Sequence, residues 1–272
     1  MDALMLRALL PEIGLLVLAA LVLLLDVVLS PERRAKSLGW VVAAGLVADA
    51  IVAVVFARPD GQAQLIWGGM LRLDATGFVL RLLFLMGAAV ATLLAQDDAS
   101  LAGRGEFFAL LLTSTLGMSL LVSSGDWIML FLALETTSIP LYVMAGFLIE
   151  DVRSVESGVK YVLYGVMSSA LLLFGISFIY GITGSTSLYD PVAQGRLAAA
   201  PLPLIVAILA LVLVGFGFKI SAVPFHFWAP DVYEGSAAPV AGFLSTTSKA
   251  AGFVVLLRVM QAVFPQASSL WT

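Results

Sequence analysis

Glu135, Lys160, Lys219 and Lys249 stand inside long apolar stretches of the chain. A charge at the centre of a membrane helix costs about 2.5 to 3.5 kcal/mol on insertion scales, so each is a functional candidate by default. One acid and three amines, all able to exchange protons, point to a relay. In general a buried amine loses proton affinity by desolvation, and a nearby carboxylate restores it. Moving a proton against 100 mV needs about 2.3 kcal/mol. That is less than about two pKa units at about 1.36 kcal/mol each, within the reach of one ion pair made or broken.

Bland readings compete with this one. Lys160, expected in the first turn of its span, can snorkel its amine to the interface. Lys219, Lys249 and Glu135, deeper in their helices, can form a purely structural ion pair, and His226 can simply bond a free carbonyl. Arg81 and Arg258 are read as snorkelling, Trp127, Trp228 and Tyr180 as interface anchors, and Glu12 as a partner of its helix dipole. Asp49 stands in an apolar span with no obvious partner and is read as a helix–helix contact.

Prolines add local chemistry. Pro140 follows Glu135 by five residues and Pro224 follows Lys219 by five. A proline has no N–H for the carbonyl four residues back, so Thr136 and Ile220 are expected to carry free carbonyls beside the charges. Irregular backbone at membrane depth is tolerated where it is buried in protein or lines an aqueous cavity. Segment 220–237, with Ser221, His226, Trp228, Asp231, Tyr233 and Glu234 among Pro224, Pro230 and Pro239, reads as a functional break holding a short half-helix near 225–233. The hydroxyls of residues 245–248 are expected around the Lys249 amine.

The elements that must position these groups are membrane helices. Hydrophobic residues make up 61% of the chain and charged residues 12%, with a mean hydropathy of +1.06, outside the range of a soluble domain. With about 20 apolar residues per crossing, spans are expected near 9–29, 38–57, 76–95, 106–123, 127–148, 157–180, 202–222 and 237–263. The fold class is all-α, a polytopic transmembrane helical bundle of about eight spans with a broken helix near 220–237. Arg33, Arg34 and Lys36 place the first loop in the cytoplasm. The N-terminus and the loops near 58–75 and 181–201 are then expected on the outer side.

Composition also narrows the function. With no cysteine and one histidine, thiolate-held iron–sulfur clusters and bis-histidine haem within the chain are excluded, and no phosphate-binding loop is present. The net charge of −4, without a basic patch, offers no nucleic-acid footprint.

The stretches LETTSIPLY at 134–142, GVKY at 158–161 with Ser168-Ser169-Ala170, and FKISAVPFHFWAPDVYEG at 218–235 resemble the antiporter-like subunits of respiratory complex I, and among them the N type. The resemblance implies a proton-translocating membrane-arm subunit of NADH:quinone oxidoreductase. Glu135, Lys160, Lys219 and Lys249 match the half-channel positions, and His226 matches a histidine of the same polar axis. Glu135 is expected to modulate Lys219 by making or breaking an ion pair, and Lys249 to pass the proton toward the subunit's centre.

The same likeness implies a layout. Residues 1–104 would form a three-helix segment, 105–264 a five-helix half-channel repeat and 265–272 a short tail. Such proteins resemble fourteen-helix molecules with two inverted repeats. Only one repeat falls within this chain, which alone is not expected to pump. No cofactor is expected in the chain; NADH, FMN, iron–sulfur clusters and quinone are implied in partner subunits. Expected partners are other membrane-arm subunits, the lipid bilayer and a separate polypeptide supplying the second repeat. A bacterial inner membrane is the implied location. A subunit of a cation/proton antiporter, and a non-conducting structural membrane subunit, are the competing readings.

Overall fold

The computed structural model describes residues 3–264, and the short tail expected at 265–272 lies outside them. A short α1 (Ala3–Ala8) leads into α2 (Leu10–Val28), and α3 (Pro31–Phe56) returns across the bundle. Strands β1 (Gln64–Ile66) and β2 (Leu71–Leu73) pair antiparallel. Then come α4 (Ala75–Asp97), α5 (Gly105–Val122), α6 (Trp127–Ala145), α7 (Val152–Thr183), the short α8 (Pro191–Ala198) and α9 (Leu202–Ile220). After a break, α10 (Trp228–Gly235) and α11 (Ala238–Phe243) follow, and a π-turn (Leu244–Ser248) joins α11 to α12 (Lys249–Val263).

Among the described residues eight helices are long and apolar enough to cross a membrane, with α11, the π-turn and α12 counting as one. Their bounds fall within a few residues of the expected spans, except that α3 begins seven residues earlier and α7 five. Leu24 and Val27 on α2, and Val166 and Met167 on α7, are among the many exposed apolar side chains. Apolar patches of that extent mark a surface that meets something other than water, here lipid.

Local signals explain where the helices start. Asp74, Asp126, Asp151 and Asp190 each accept a backbone N–H of the following first turn, from Gly77, Met129, Arg153 and Val192, satisfying donors that a helix start leaves orphaned. Pro11 and Pro31 sit in the first turns of α2 and α3, where a missing N–H costs nothing. On Asp190, in the loop between α7 and α9, the Val192 amide holds the carboxyl below the usual carboxylate range. Gly184 ends α7 in the left-handed region.

Polar loops tie each face of the bundle. On one face Leu71 bridges Ser124, Asp126 bridges Ser187, and the Arg72 guanidinium lies 4.4 Å from the centroid of the Tyr189 ring. The loops at 57–74 and 184–201 therefore share a side, as expected. On the other face Asp26 pairs with Arg34 at 2.9 Å and accepts the Gly105 amide at 3.0 Å. Gln96 accepts from Gly39 and donates to Ala35. Gly103 there has φ +77° against the Ala35 backbone, a conformation and an approach that both exclude a side chain.

The centre of the molecule is α5, almost wholly buried, packed on α2, α4 and α6. At Gly117 a Cβ would meet the backbone of Thr136 and Thr137, so α5 and α6 touch backbone to backbone, the close approach that small residues allow in membranes.

Several side chains read as surface anchors are interior. Arg81 does not snorkel: it is 5% exposed and pairs with Glu12 at 2.7 Å. It also donates to Ser119 and to the Ala8 carbonyl. Glu12 is thus the partner of a buried guanidinium rather than of its helix dipole alone. Arg258 pairs with Asp74 at 2.6 Å, and Trp127 and Trp228 are buried. For both arginines a carboxylate partner outweighs the pull of the interface.

Removing one member of a buried pair strands the other charge, at about 3–5 kcal/mol, whereas an apolar replacement of both is often close to neutral. Arg81→Leu is expected to lower the thermal unfolding midpoint in detergent sharply. Glu12→Leu combined with Arg81→Leu is expected to recover most of the loss.

Candidate functional site

The polar groups of the interior gather where α9 stops. Its last residues are Lys219 and Ile220, and Ser221 turns left-handed at φ 54°. The amide of Ser221 bonds back to the Phe218 carbonyl at 3.1 Å and that of Ala222 to Gly217 at 2.8 Å, the double bond of a Schellman ending. Here a serine occupies the position usually given to glycine. The helix thus ends at Ile220, four residues before Pro224, and the cis Val223–Pro224 bond lies in the connecting segment. The half-helix forms at Trp228–Gly235, slightly later than the expected 225–233.

Lys219 is 3% exposed. Its Nζ donates to Ser138 Oγ at 2.9 Å, and Ser138 donates in turn to the Leu134 carbonyl at 2.6 Å. Ser138 lies three residues after Glu135 on α6, a spacing that puts both on one helix face. The expected Glu135–Lys219 ion pair is therefore not the contact that holds the amine. A hydroxyl one turn away does so, and Glu135 Oε1 is buried without a hydrogen-bond partner.

Lys249 approaches the same helix end from the other side. Its Nζ donates to Ser221 Oγ and lies 3.4 Å from the Lys219 carbonyl. The carbonyl that the break offers is thus that of Lys219 rather than Ile220. Carbonyls at a helix C-terminus carry the negative end of the helix dipole, which suits both ammonium groups. The Lys249 Nζ also lies 4.6 Å from the Trp228 ring centroid and 5.9 Å from that of Tyr233, within cation–π range. The nearby hydroxyls do not surround it as expected: Ser245 and Thr246 bond back to Gly242. The π-turn through residues 244–248 ends at Lys249, a geometry frequent at functional positions.

Aromatic rings floor the break. Trp228 stacks on Tyr161 at 4.4 Å, Tyr161 meets Tyr142 edge-on at 4.7 Å, and Phe218 packs on Trp228 at 5.0 Å. Trp228 Nε1 donates to the Phe218 carbonyl at 3.2 Å, so this ring pins α10 to the end of α9. His226 lies in the connecting segment with Nδ1 buried and unpartnered. Among the described residues no hydrogen bond links it to either lysine.

Lys160 stands apart, nearer the start of α7. Asp151 caps α7, so Lys160 lies in the third turn rather than the first. It contacts Glu156 and Asp231 at 2.5 Å each, and Arg153 reaches Glu234 at 3.8 Å. These partly exposed pairs tie α7 to α10.

Three buried polar atoms near the break lack partners: Glu135 Oε1, His226 Nδ1 and Tyr142 Oη. Buried polar groups are nearly always satisfied, so such a cluster calls for an explanation. Each amine bonds one serine hydroxyl, Lys219 to Ser138 and Lys249 to Ser221, and all of these groups are of types able to bind or release a proton. Sequence reasoning missed Ser138 as a ligand of Lys219 and Trp228 as a partner of Lys249. The spacing of Ser138 from Glu135 was a usable signal for the first; nothing local pointed to the second.

Known proteins place this arrangement. Over 262 residues the chain is 42% identical to NADH-quinone oxidoreductase subunit N of Geobacillus sp. (strain WCH70), an alignment covering 94% of this chain and 53% of that protein. The solved structure of respiratory complex I from Thermus thermophilus with bound aureothin contains a similar chain, with TM-score 0.77, 35% identity, 96% of this chain and 55% of that one. The archaeal membrane-bound sulfane sulfur reductase contains another, with TM-score 0.76 and 21% identity over 97% of this chain and 55% of that one, a likeness of fold alone. The chain spans about half the length of the relatives it matches. Residues 124–272 match the transmembrane family of NADH:quinone oxidoreductase and Mrp antiporter subunits, and this chain belongs to that family.

Proposed function

We propose that this chain acts in a membrane-arm subunit of NADH:quinone oxidoreductase, of the N type, contributing a proton-translocation half-channel. The observation that carries this reading is the Lys219 amine, buried at the end of a broken helix, held on the hydroxyl of Ser138 one turn from the unpaired Glu135 carboxylate. Lys249 takes the proton onward from the end of α9, and Lys160, paired with Glu156 and Asp231, tunes the entry side. His226 serves the connecting segment. Residues 1–104 brace the half-channel formed by 105–264.

The carboxylate of Glu135 controls the relay by approaching or leaving Lys219. With Ser138 as the resting partner, Lys219 can give up its proton without breaking an ion pair, and a Glu135 contact would favour recapture. NADH, FMN, iron–sulfur clusters and quinone belong to partner subunits. The other membrane-arm subunits and a second helical repeat complete the path. The reading places the chain in a bacterial inner membrane, with the face bearing Arg33, Arg34 and Lys36 in the cytoplasm and the N-terminus in the periplasm.

The family also includes Mrp antiporter subunits, so assembly decides between the two. Tagged chain purified in mild detergent from its native membrane is expected to bring down an assembly that stains for NADH:quinone activity, with other membrane-arm subunits identified by mass. Recovery with antiporter subunits would overturn the proposal. Within the assembled complex, Lys219→Met is expected to reduce NADH-driven proton translocation by about 100-fold, the scale of losing a proton-transfer group, as read by a pH-sensitive dye in vesicles; unchanged translocation supports a structural role. Asp231→Asn, removing a partly exposed ion pair, is expected to change unfolding stability by less than about 1 kcal/mol, measured by chemical denaturation in detergent.

A further inference from the structure

On the face that bears Arg33, Arg34 and Lys36, the starts of α5 and α7 border a cleft. Asp26 holds both Arg34 and the Gly105 amide there. In the first turn of α5 the Phe107 ring meets that of Phe147 at 5.3 Å, so the loops at 98–104 and 146–151 lie side by side. The cleft between them has a volume of about 870 Å³, and Arg104, Glu106, Phe147, Ile149, Glu150 and Asp151 are among its lining residues.

Apolar side chains at this place are bare. Ile149 is 82% exposed, and Val152, the first residue of α7, is 78% exposed. Hydrocarbon is a poor cover for them, because Glu150, Asp151, Arg153 and Glu156 are interleaved with them and charged groups keep a helix end out of the apolar layer. Nor can the loop simply turn them inward. The Leu148 amide is held on Ser154 Oγ at 3.2 Å, and Ser154 donates to the Ala145 carbonyl at 3.1 Å, which pins the loop to the start of α7. Exposed apolar side chains with a polar rim mark a place where another protein sits.

The lining is also unbalanced in charge. Three carboxylates, Glu106, Glu150 and Asp151, face the cleft with one guanidinium, Arg104, three negative charges against one positive. Arg104 reaches Glu106 at 3.9 Å, with both side chains more than half exposed. Among the described residues no ion pair reaches Glu150 or Asp151. A phospholipid would set its phosphate against these carboxylates and is repelled. A polypeptide that brings a cation beside an apolar side chain matches both features.

We propose that this cleft is the docking site for a basic segment of a neighbouring membrane-arm subunit, which sets an apolar side chain against Ile149 and Val152 and a lysine or arginine beside Glu150. The inference rests on the membrane-arm reading above and names the chemistry of one partner surface.

The chain has no cysteine, so Val152→Cys introduces a unique thiol. Its reaction with a polar, uncharged maleimide is followed in the purified NADH:quinone-active assembly and in the full chain alone, held in nanodiscs of phosphatidylglycerol and phosphatidylethanolamine. Slow labelling in the assembly and fast labelling in the nanodisc are expected. Separately, Glu106→Lys combined with Glu150→Lys is expected to lower the recovery of neighbouring subunits with the tagged chain about 10-fold at low salt, as like charges meet across the contact. Glu32→Lys, on the same face, is expected to leave recovery unchanged. Equal labelling in the two settings overturns the proposal, and slow labelling in both makes lipid the cover and overturns it too. Full recovery of neighbours with the reversed charges rules out a basic partner. These outcomes, read in an active assembly, sink this inference alone; an assembly without NADH:quinone activity sinks the membrane-arm reading and this inference with it.

Discussion

A backbone carbonyl without a donor is expensive away from water, and α9 ends inside the bundle, beside the interior of α6. Its final carbonyls must find donors within the protein. The turn through Ser221 and Ala222 supplies two amides, the Trp228 indole supplies a third donor, and Lys249 comes to the carbonyl of Lys219. The chain thus meets a backbone debt with ammonium and indole groups. The constraint that closes the helix is the same one that brings the Lys249 amine to the backbone of Lys219.

Around that ending the neighbouring helices are fixed by close contacts. The α5–α6 contact is tight enough at Gly117 to exclude a Cβ, and the Arg81–Glu12 pair ties α4 to α2. The eight residues of α10 are held against α7 by the stack of Trp228 on Tyr161 and by the close approach of Gly235 to the Arg153 carbonyl. The exposed ion pairs between the two helices add little to that. The side chains around Lys249 thus come from two elements, Ser221 from the end of α9 and Trp228 and Tyr233 from α10, while Ser138 comes from α6.

Much of this was legible in the sequence. Long apolar runs located every crossing, since membrane spans have few alternatives to helix. The four charges and the prolines marked the break, because in an apolar stretch each is an anomaly. What stayed hidden was pairing. Arg81 and Glu12 are 69 residues apart, and nothing local says that one buries itself on the other. The hydroxyls before Lys249 looked like its ligands because they are its sequence neighbours; on a helix they turn back to Gly242, and the amine instead finds Ser221 across the bundle. Likewise, Lys160 seemed to stand at the start of its span because hydropathy does not register the polar turns that Asp151 nucleates.

The 32 residues of α7 make a rod of about 48 Å at 1.5 Å per residue, while the hydrocarbon layer is about 30 Å thick. Such a helix leans, protrudes, or does both. Gly184 ends the helix on one face, and on the other Ser154 and Ser157 bond the Ala145 carbonyl while Gly158 lies against Gly146. A rod fastened to the bundle near both ends does not slide along the membrane normal by itself, so its extra length is carried as tilt or as polar turns, among them those of Arg153 and Glu156, standing beyond the hydrocarbon.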